Sequence, residues 1–167
     1  DLVHLPTAVP DLLTCLKPGG LFYFSIVCDG VTILQPEIDP IFDAYIEHLY
    51  HLTMDQRLHQ GQPSGDSRSG RHLLSHLQQM DGIMLAAGAS DWVVYGGPNG
   101  YPADEAFFLH FIIHTVYTAL CDHPELDLER FSNWIAQRHA QIESGKLIFV
   151  AHQLDFLGRM PPGPKTR

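Results

Sequence analysis

The sequence predicts an α/β fold, because one strongly apolar strand is flanked on both sides by helical patterns. Leu21 to Cys28 (LFYFSIVC) is a continuous run of apolar, aromatic and β-branched residues, which is typical of a strand covered on both faces. Amphipathic segments precede and follow it, so helices alternate with strands. The 167 residues, 45% of them hydrophobic, can bury a core. We therefore expect a single domain over residues 1–160 and a flexible Pro-rich tail at 161–167.

The individual elements follow from apolar spacing and from turn residues. Pro18-Gly19-Gly20 ends the first helix, and Asp29-Gly30 is expected to begin a loop after the apolar strand. Residues 59–70 are polar and rich in Gly and Ser, which predicts a second loop. Three strands are few for this much helix, so we expect part of the sheet to lie upstream. The predicted helices span 8–17, 39–57, 71–80, 104–120 and 126–143, and the predicted strands span 21–28, 83–95 and 146–154.

Charge argues against a nucleic-acid partner. The chain has 10 basic and 19 acidic residues, a net charge of −9, and would repel a phosphate backbone unless a local basic patch intervened. The only closely spaced arginines, Arg68 and Arg71, have Asp66 beside them. The sequence therefore predicts a small-molecule ligand.

Cysteine usage and hydropathy indicate the compartment. The three cysteines are far apart and lie in apolar surroundings, which favours reduced thiols and a cytoplasmic location. The most apolar stretch, Ala106 to Leu120, is too short to cross a bilayer and contains His110 and His114. We expect no membrane association.

One block of the sequence carries a family resemblance. The segment at 12–24 (LLTCLKPGGLFYF) resembles the block of class I S-adenosylmethionine-dependent methyltransferases that joins their fourth and fifth strands. Further along, HLLSHLQQMDGIMLAAG and SDWVVYGG are similar to the family's helix E and sixth strand, and GKLIFVAHQLDFLGR to the antiparallel seventh strand that inserts next to the fifth. The resemblance implies the C-terminal part of a Rossmann-like methyltransferase sheet, strands five to seven, with helical insertions at 31–70 and 97–145 that shape an acceptor pocket.

The same resemblance implies S-adenosylmethionine as the methyl donor of the intact protein, and it shows what this sequence lacks. The family's glycine-rich turn and its ribose-binding acidic residue have no counterpart in the chain. Only the chain around Asp1, Leu2 and His4 would lie against the donor. We therefore expect an incomplete fragment that binds S-adenosylmethionine weakly or not at all and is inactive alone.

The loop GDSRSGRH (65–72) is the first candidate for binding a methyl acceptor. Arg68 and Arg71 could present guanidinium groups to a carboxylate or phosphate, aided by the N-terminus of the following helix. The alternative is a capped helix start, in which the turn residues have structural roles: Ser67 or Ser69 as the cap and Asp66 as the partner of an arginine.

Three further residues complete the predicted acceptor site. Asp29 follows the apolar strand, where open α/β sheets bind ligands, and could orient the acceptor or act as a general base. The alternative role for Asp29 is an Asx turn at the strand end. Tyr101 and His114 are predicted to line the pocket.

The eleven histidines raise the possibility of a metal site. His110 and His114, like His72 and His76, have the i,i+4 spacing of zinc ligands on one helix face. No third ligand and no HExxH motif accompanies them, so we expect no metal. A second class of function stays open: a non-catalytic remnant or interaction module that forms a dimer, or pairs with a complementing chain, through the unpaired edge of the Leu21 to Cys28 strand.

Overall fold

The computed structural model of the chain describes residues 3–80 and 82–163, and within them it has five helices and six strands. The helices are α1 (Leu5–Thr14), α2 (Pro40–Asp55), α3 (Ser69–Gln79), α4 (Glu105–Leu120) and α5 (Leu128–Glu143). The strands are β1 (Leu21–Gln35), β2 (Leu58–His59), β3 (Gln62–Pro63), β4 (Ile83–Ala89), β5 (Trp92–Val94) and β6 (Ile148–Arg159). The prediction of a mixed α/β fold is confirmed.

The main sheet is mostly antiparallel and is organised around the last strand. Its order is β1-β6-β4, and β5 also pairs with β6. Both β4 and β5 run antiparallel to β6, with Ala87 opposite Phe156 and Val93 opposite Val150. The expectation that the last strand inserts beside the first is confirmed, because β6 is hydrogen-bonded to β1.

Several elements differ from the predicted ones, and three of the differences lie in predicted loops or within a predicted strand. The predicted loop at Asp29-Gly30 is wrong, because β1 continues to Gln35; Gly30 adopts a φ of +69°, a conformation open to glycine that bends the strand without ending it. The strand predicted over 83–95 is interrupted at Ser90 and Asp91, which lie between β4 and β5. The predicted loop at 59–70 contains β3 and part of the short antiparallel hairpin β2-β3.

The contacts between residues divide the chain into two compact units. The first consists of the described residues of the segments 1–31, 54–91 and 152–167, and the second consists of 32–53 and 92–151. The expected single domain stays a prediction. The residues 164–167 of the predicted tail lie outside those that the structure describes.

Two helices and the sheet form the core of the first unit. Helix α1 buries one stripe at a spacing of four residues, and α3 does the same, as amphipathic helices do. Gly158 of β6 leaves room for the ring of Phe22, since a Cβ at Gly158 would lie 2.0 Å from that ring. The buried residues of this core are Leu5, Val9, Leu13, Phe22, Leu73, Leu77 and Phe156.

The core of the second unit is larger, and helices α4 and α5 pack against each other in it. Its buried members include Leu109 and Ile113 of α4 and Phe131 and Trp134 of α5. No helix among the described residues has both the length and the apolar character needed to traverse a bilayer.

A buried arginine is also part of the second unit. Arg138 has no exposed surface, and its Nη1 donates to the carbonyl of Pro36 and to Oε1 of Gln141, each at 2.8 Å. Its Nη2 lies 2.8 Å from Oδ1 of Asp43, within ion-pair distance although the groups are not aligned for a hydrogen bond. Burial lowers the pKa of Arg138, and the charge of Asp43 partly offsets that effect. The loop before α2 is thereby tied to α5.

Candidate functional site

The structure brings together two of the predicted site residues, Asp29 of β1 and Arg71 of α3. The Nε of Arg71 donates to both carboxylate oxygens at 3.0 and 3.1 Å, and its Nη2 donates to Oδ2 at 2.8 Å. The backbone N–H of Arg71 also donates to Oδ1 at 2.8 Å. Asp29 is 5% exposed, whereas half of the Arg71 side chain, 51%, reaches solvent. The pair therefore has a buried anionic side and an open cationic side.

A glycine makes this contact possible. A Cβ built on Gly70 would lie 3.0 Å from Cβ of Asp29 and 3.1 Å from Cδ1 of Leu154. Such distances are tighter than ordinary van der Waals contacts, so the absence of a side chain at residue 70 lets the first turn of α3 approach β1 and β6 without displacing them. The close approach places the N–H of Arg71 directly on the carboxylate of Asp29.

The environment of Asp29 keeps it ionised. Burial raises the pKa of its carboxyl group, but the hydrogen bonds and charge of Arg71, with a contribution from the charge of His152, outweigh burial and hold the pKa below its usual value. A carboxylate with a low pKa is a weak base, and both of its oxygens are occupied. The geometry therefore favours a positioning role for Asp29 over that of a general base.

The turn before α3 is held by its own polar residues, though in roles that differ from the predicted cap. Asp66 accepts from the backbone N–H of Arg68 at 2.9 Å and contacts His72, and it pairs with no guanidinium group in the described part of the chain. Neither serine caps the helix: the N-cap position is Arg68, without a side-chain cap. Ser69 Oγ instead donates to the carbonyl of Cys28 at 3.0 Å, and the Ser67 N–H and Oγ donate to Asp55.

Arg68 is exposed beside this pair, and it forms no ion pair within residues 3–80 and 82–163. Its Cγ lies 3.3 Å from the position that a Cβ of Gly30 would occupy, so the arginine stem covers the bend of β1. Arg68 and Arg71 therefore supply positive charge at the carboxyl end of the segment predicted as the central strand, with Arg68 unpaired.

A histidine that sequence reasoning missed belongs to the same unit. Nδ1 of His152 lies 2.8 Å from Oδ1 of Asp91. The register explains the contact: Ala89 is opposite Leu154, and the N–H of Ser90 donates to the carbonyl of Gln153, so the next pair along is Asp91 and His152. The sequence alone could not reveal this pair, because the contact depends on the register between β4 and β6.

The remaining acceptor candidates, Tyr101 and His114, belong to the second unit. The hydroxyl of Tyr101 donates to the carbonyl of Leu147 at 2.7 Å, and burial raises the pKa of this hydroxyl. Tyr101 also lines an open pocket of about 350 Å³ with Tyr95 and Glu105. The ring of His114 stacks on Tyr117, with the ring centroids 6.4 Å apart.

One histidine of α4 and one of α5 form a close pair. Nδ1 of His110 lies 2.6 Å from Nδ1 of His139, so one ring donates and the other accepts. Burial lowers the pKa of His139, and the neighbouring His110 and His114 lower it further against the opposing charge of Glu143. No group of three or more metal-ligating side chains converges in the described part of the chain.

The predicted donor-binding residues are only partly described. Asp1 and Leu2 lie outside the described residues. His4 begins α1: its carbonyl accepts from the N–H groups of Thr7 and Ala8, and its Nδ1 contacts the hydroxyl of Thr7 at 3.2 Å. His4 is thus the one predicted donor-binding residue that the structure describes, and its contacts belong to the start of α1.

Comparison with known proteins adds no assignment. No protein-family model matches the chain, and no curated protein sequence matches it significantly.

Proposed function

We propose that this chain is the acceptor-side half of an S-adenosylmethionine-dependent methyltransferase that acts on a small anionic molecule. One observation carries the acceptor assignment: Asp29 holds the guanidinium group of Arg71 through hydrogen bonds, and half of the Arg71 side chain stays exposed to solvent. A planar guanidinium held in one orientation binds a carboxylate or phosphate with little further loss of side-chain entropy. The family assignment is supported by the block at 12–24 and by the strand order β1-β6-β4, in which the last strand lies beside the first.

The two arginines have different roles in the proposal. Arg71 is neutralised in part by Asp29, so its contribution is mainly directional. Arg68 has no carboxylate partner among the described residues and supplies most of the net charge. Together they would hold the anionic group beside the bend of β1 at Gly30, next to the Asp29 carboxylate that orients Arg71.

S-adenosylmethionine would supply the methyl group, bound by residues outside those described. The described residues would bind and orient the acceptor.

The test is methyl transfer by the full-length product of the gene that encodes this chain. Labelled S-adenosylmethionine is incubated with pools of small hydroxy and amino carboxylates and phosphates. We expect Arg68→Met to raise the KM of the acceptor about tenfold or more with a smaller effect on kcat, because it removes ground-state binding. Arg57→Met, at another exposed arginine of the same unit, is the control and should leave KM unchanged. Absence of labelled product from all pools would refute the proposal.

A separate measurement tests the assignment of donor binding to residues outside those described. Calorimetric titration of S-adenosylmethionine into this chain alone should release no heat of binding. A dissociation constant in the micromolar range would place the donor site within the chain and overturn that assignment.

A second candidate, an interaction module, is favoured by the exposed side chains of β1. Leu21, Tyr23 and Ile26 are 60%, 65% and 65% exposed, although the sequence predicts a strand covered on both faces. The strand lies at one end of the sheet order, and its outer edge pairs with no strand within residues 3–80 and 82–163. An apolar edge strand of this kind is a template for another strand.

Light scattering after size-exclusion chromatography distinguishes this candidate. We expect association at high concentration if the β1 edge pairs, and we expect Ile26→Lys to abolish it. Ile41→Lys, a substitution at an exposed isoleucine of the second unit, is the matched control. A monomer at all concentrations would count against the candidate.

A further inference from the structure

The contact between Asp91 and His152 fixes the state of the imidazole. An ionised carboxylate only accepts hydrogen bonds, so at 2.8 Å from Asp91 the Nδ1 of His152 must carry the proton. In the neutral ring the lone pair then lies on Nε2. No hydrogen bond to that Nε2 is formed by the residues that the structure describes, and the side chain is one-third exposed. The pair thus presents an oriented proton acceptor.

The position of His152 relates it to the acceptor site. Residues two apart on a strand share a face, so His152 lies on the same face of β6 as Leu154 and Phe156. Phe156 packs in the core with α3, and Leu154 contacts the position of Gly70 at the start of α3. His152 is therefore on the side of the sheet that faces α3 and its arginines. Asp29 and Leu154 both lie against Gly70, so His152 is two residues along β6 from the residue that borders the Asp29–Arg71 pair.

We propose that His152, oriented by Asp91, is the proton acceptor of this site, and that Arg71 holds the anionic group of the same ligand. This inference rests on the proposed function. The bond between the acceptor's nucleophilic atom and its hydrogen breaks, the electron pair stays on that atom, and the proton passes to Nε2 of His152. The resulting imidazolium is stabilised by the carboxylate of Asp91. An oxygen or nitrogen nucleophile is made more reactive in this way.

Asp29 does not compete for this role. Its oxygens are engaged by Arg71, and its low pKa makes it a poorer base than an imidazole. The two carboxylates therefore have different roles. Asp29 positions the guanidinium group of Arg71, and Asp91 positions the imidazole of His152.

The chain contains a matched control. His72 also has its Nδ1 2.8 Å from an aspartate, Asp66, and belongs to the same unit. It lies on exposed helix surface, and Asp66 is also engaged by the backbone of Arg68. If contact with an aspartate were enough to make a histidine the proton acceptor, His72 and His152 should react alike in the measurements below.

The first measurement is the tautomer of each ring in the chain itself, from nitrogen NMR at pH 8. We expect His152 to carry its proton on Nδ1, and Asp91→Asn to remove that preference while Asp66→Asn leaves it intact. A protonated Nε2 in His152 of the unsubstituted chain would overturn the proposal.

The second measurement is acetyl transfer from 3-carboxy-4-nitrophenyl acetate, an ester with a carboxylate for Arg71. Nε2 attacks the acetyl carbon, the nitrophenolate leaves, and water converts the acetylimidazole to acetate. We expect His152→Gln to lower the second-order rate constant about tenfold or more, and His72→Gln to leave it within about twofold. The neutral ester 4-nitrophenyl acetate should react more slowly than the anionic one, since it lacks the group that Arg71 binds.

Equal rates in the two histidine variants would refute the role of His152. Asp91→Asn, which retains the imidazole, should lower the rate as well, so the result does not depend on one variant. These readouts are independent of the methyl donor. If His152 passes both tests and the full-length protein transfers no methyl group, the proposed function fails while the proton acceptor stands.

Discussion

The guanidinium group of Arg71 and the carboxylate of Asp29 are joined by three side-chain hydrogen bonds, and the backbone N–H of Arg71 provides a fourth. One residue thus binds the carboxylate both through its side chain and through the first turn of its helix. The arrangement combines a charged pair with the favourable position of an anion at a helix N-terminus. It anchors α3 on β1 and fixes the direction of Arg71.

Removal of the anchor should destabilise the first unit. We expect Asp29→Ala to lower the free energy of unfolding by about 1 to 3 kcal/mol, because the N–H of Arg71 loses its partner. The guanidinium group reaches solvent and can be rehydrated, which places the effect toward the lower end. Urea unfolding at pH 7 measures it, and Asp11→Ala, an exposed aspartate of α1, is the control. Equal effects of the two substitutions would contradict the role of the anchor.

The same carboxylate predicts a pH dependence. The pKa of Asp29 is lower in the folded chain than its usual value of 3.8, so its stabilisation is complete above that value and is lost as the pH falls toward the folded pKa. The difference in unfolding free energy between the unsubstituted chain and Asp29→Asn should therefore be constant from pH 7 to about 5 and shrink below pH 4. A difference that grew on acidification would have the wrong sign.

Arg138 should matter more to stability than the exposed Arg130. Arg138→Met leaves Asp43 without its buried cationic partner, and we expect a loss of about 3 kcal/mol or more. Arg130→Met also breaks an ion pair, to Asp39, but on exposed surface, so its effect should be much smaller. Guanidinium unfolding followed by tryptophan fluorescence reports on this unit, because Trp92 and Trp134 both belong to it. Comparable losses in both variants would refute the distinction.

The histidine pair of α4 and α5 predicts destabilisation in mild acid. The pKa of His139 is lower in the folded chain than its usual 6.5, so the unfolded state binds the proton first as the pH falls. Stability should decline from about pH 7 downward through that window, and His139→Gln should have a smaller decline. Urea midpoints at pH 7.5 and 5.5 measure the difference. His48→Gln, at an exposed histidine of α2, should keep the full decline.

Two glycines of the antiparallel β4-β6 pair should respond in opposite ways to the same substitution. Gly158→Ala would place a methyl group in the ring of Phe22, and we expect a loss of about 1 to 3 kcal/mol from overpacking. Gly88→Ala meets no atom within 4 Å and should be neutral or slightly stabilising, because it reduces the entropy of the unfolded chain. Thermal unfolding of both variants decides between these outcomes.

The parts of the fold that sequence predicts well are those that local spacing determines. The stripe of Leu73 and Leu77 predicted α3, and the structure buries both residues. The end of β1 could not be predicted, because Gly30 is equally suited to a loop and to a bend within a strand. The exposure of side chains on β1 could not be predicted for another reason. An apolar run shows that a strand can be buried, but it does not show whether other elements of the chain pack against both of its faces.

The candidate site divides in the same way. Asp29 and Arg71 were each predicted from their place beside a strand end or helix start, but their mutual contact was not, since it depends on the missing side chain of Gly70. Asp91 and His152 lie 61 positions apart, and only the strand register brings them together. No hairpin turn joins β5 to β6, so turn length could not fix that register, and the apolar pattern alone does not say which residues lie opposite each other.

The number of residues between β4 and β5 determines which residue lies opposite His152. Two residues, Ser90 and Asp91, continue the pairing with β6 from Ala89 onward. If Ser90 were deleted and the register kept, the aspartate would move one step along and lie opposite Gln153, on the other face of the sheet. His152 would then face tryptophan in place of a carboxylate. A single-residue length change, with no substitution anywhere, is enough to separate this imidazole from its partner.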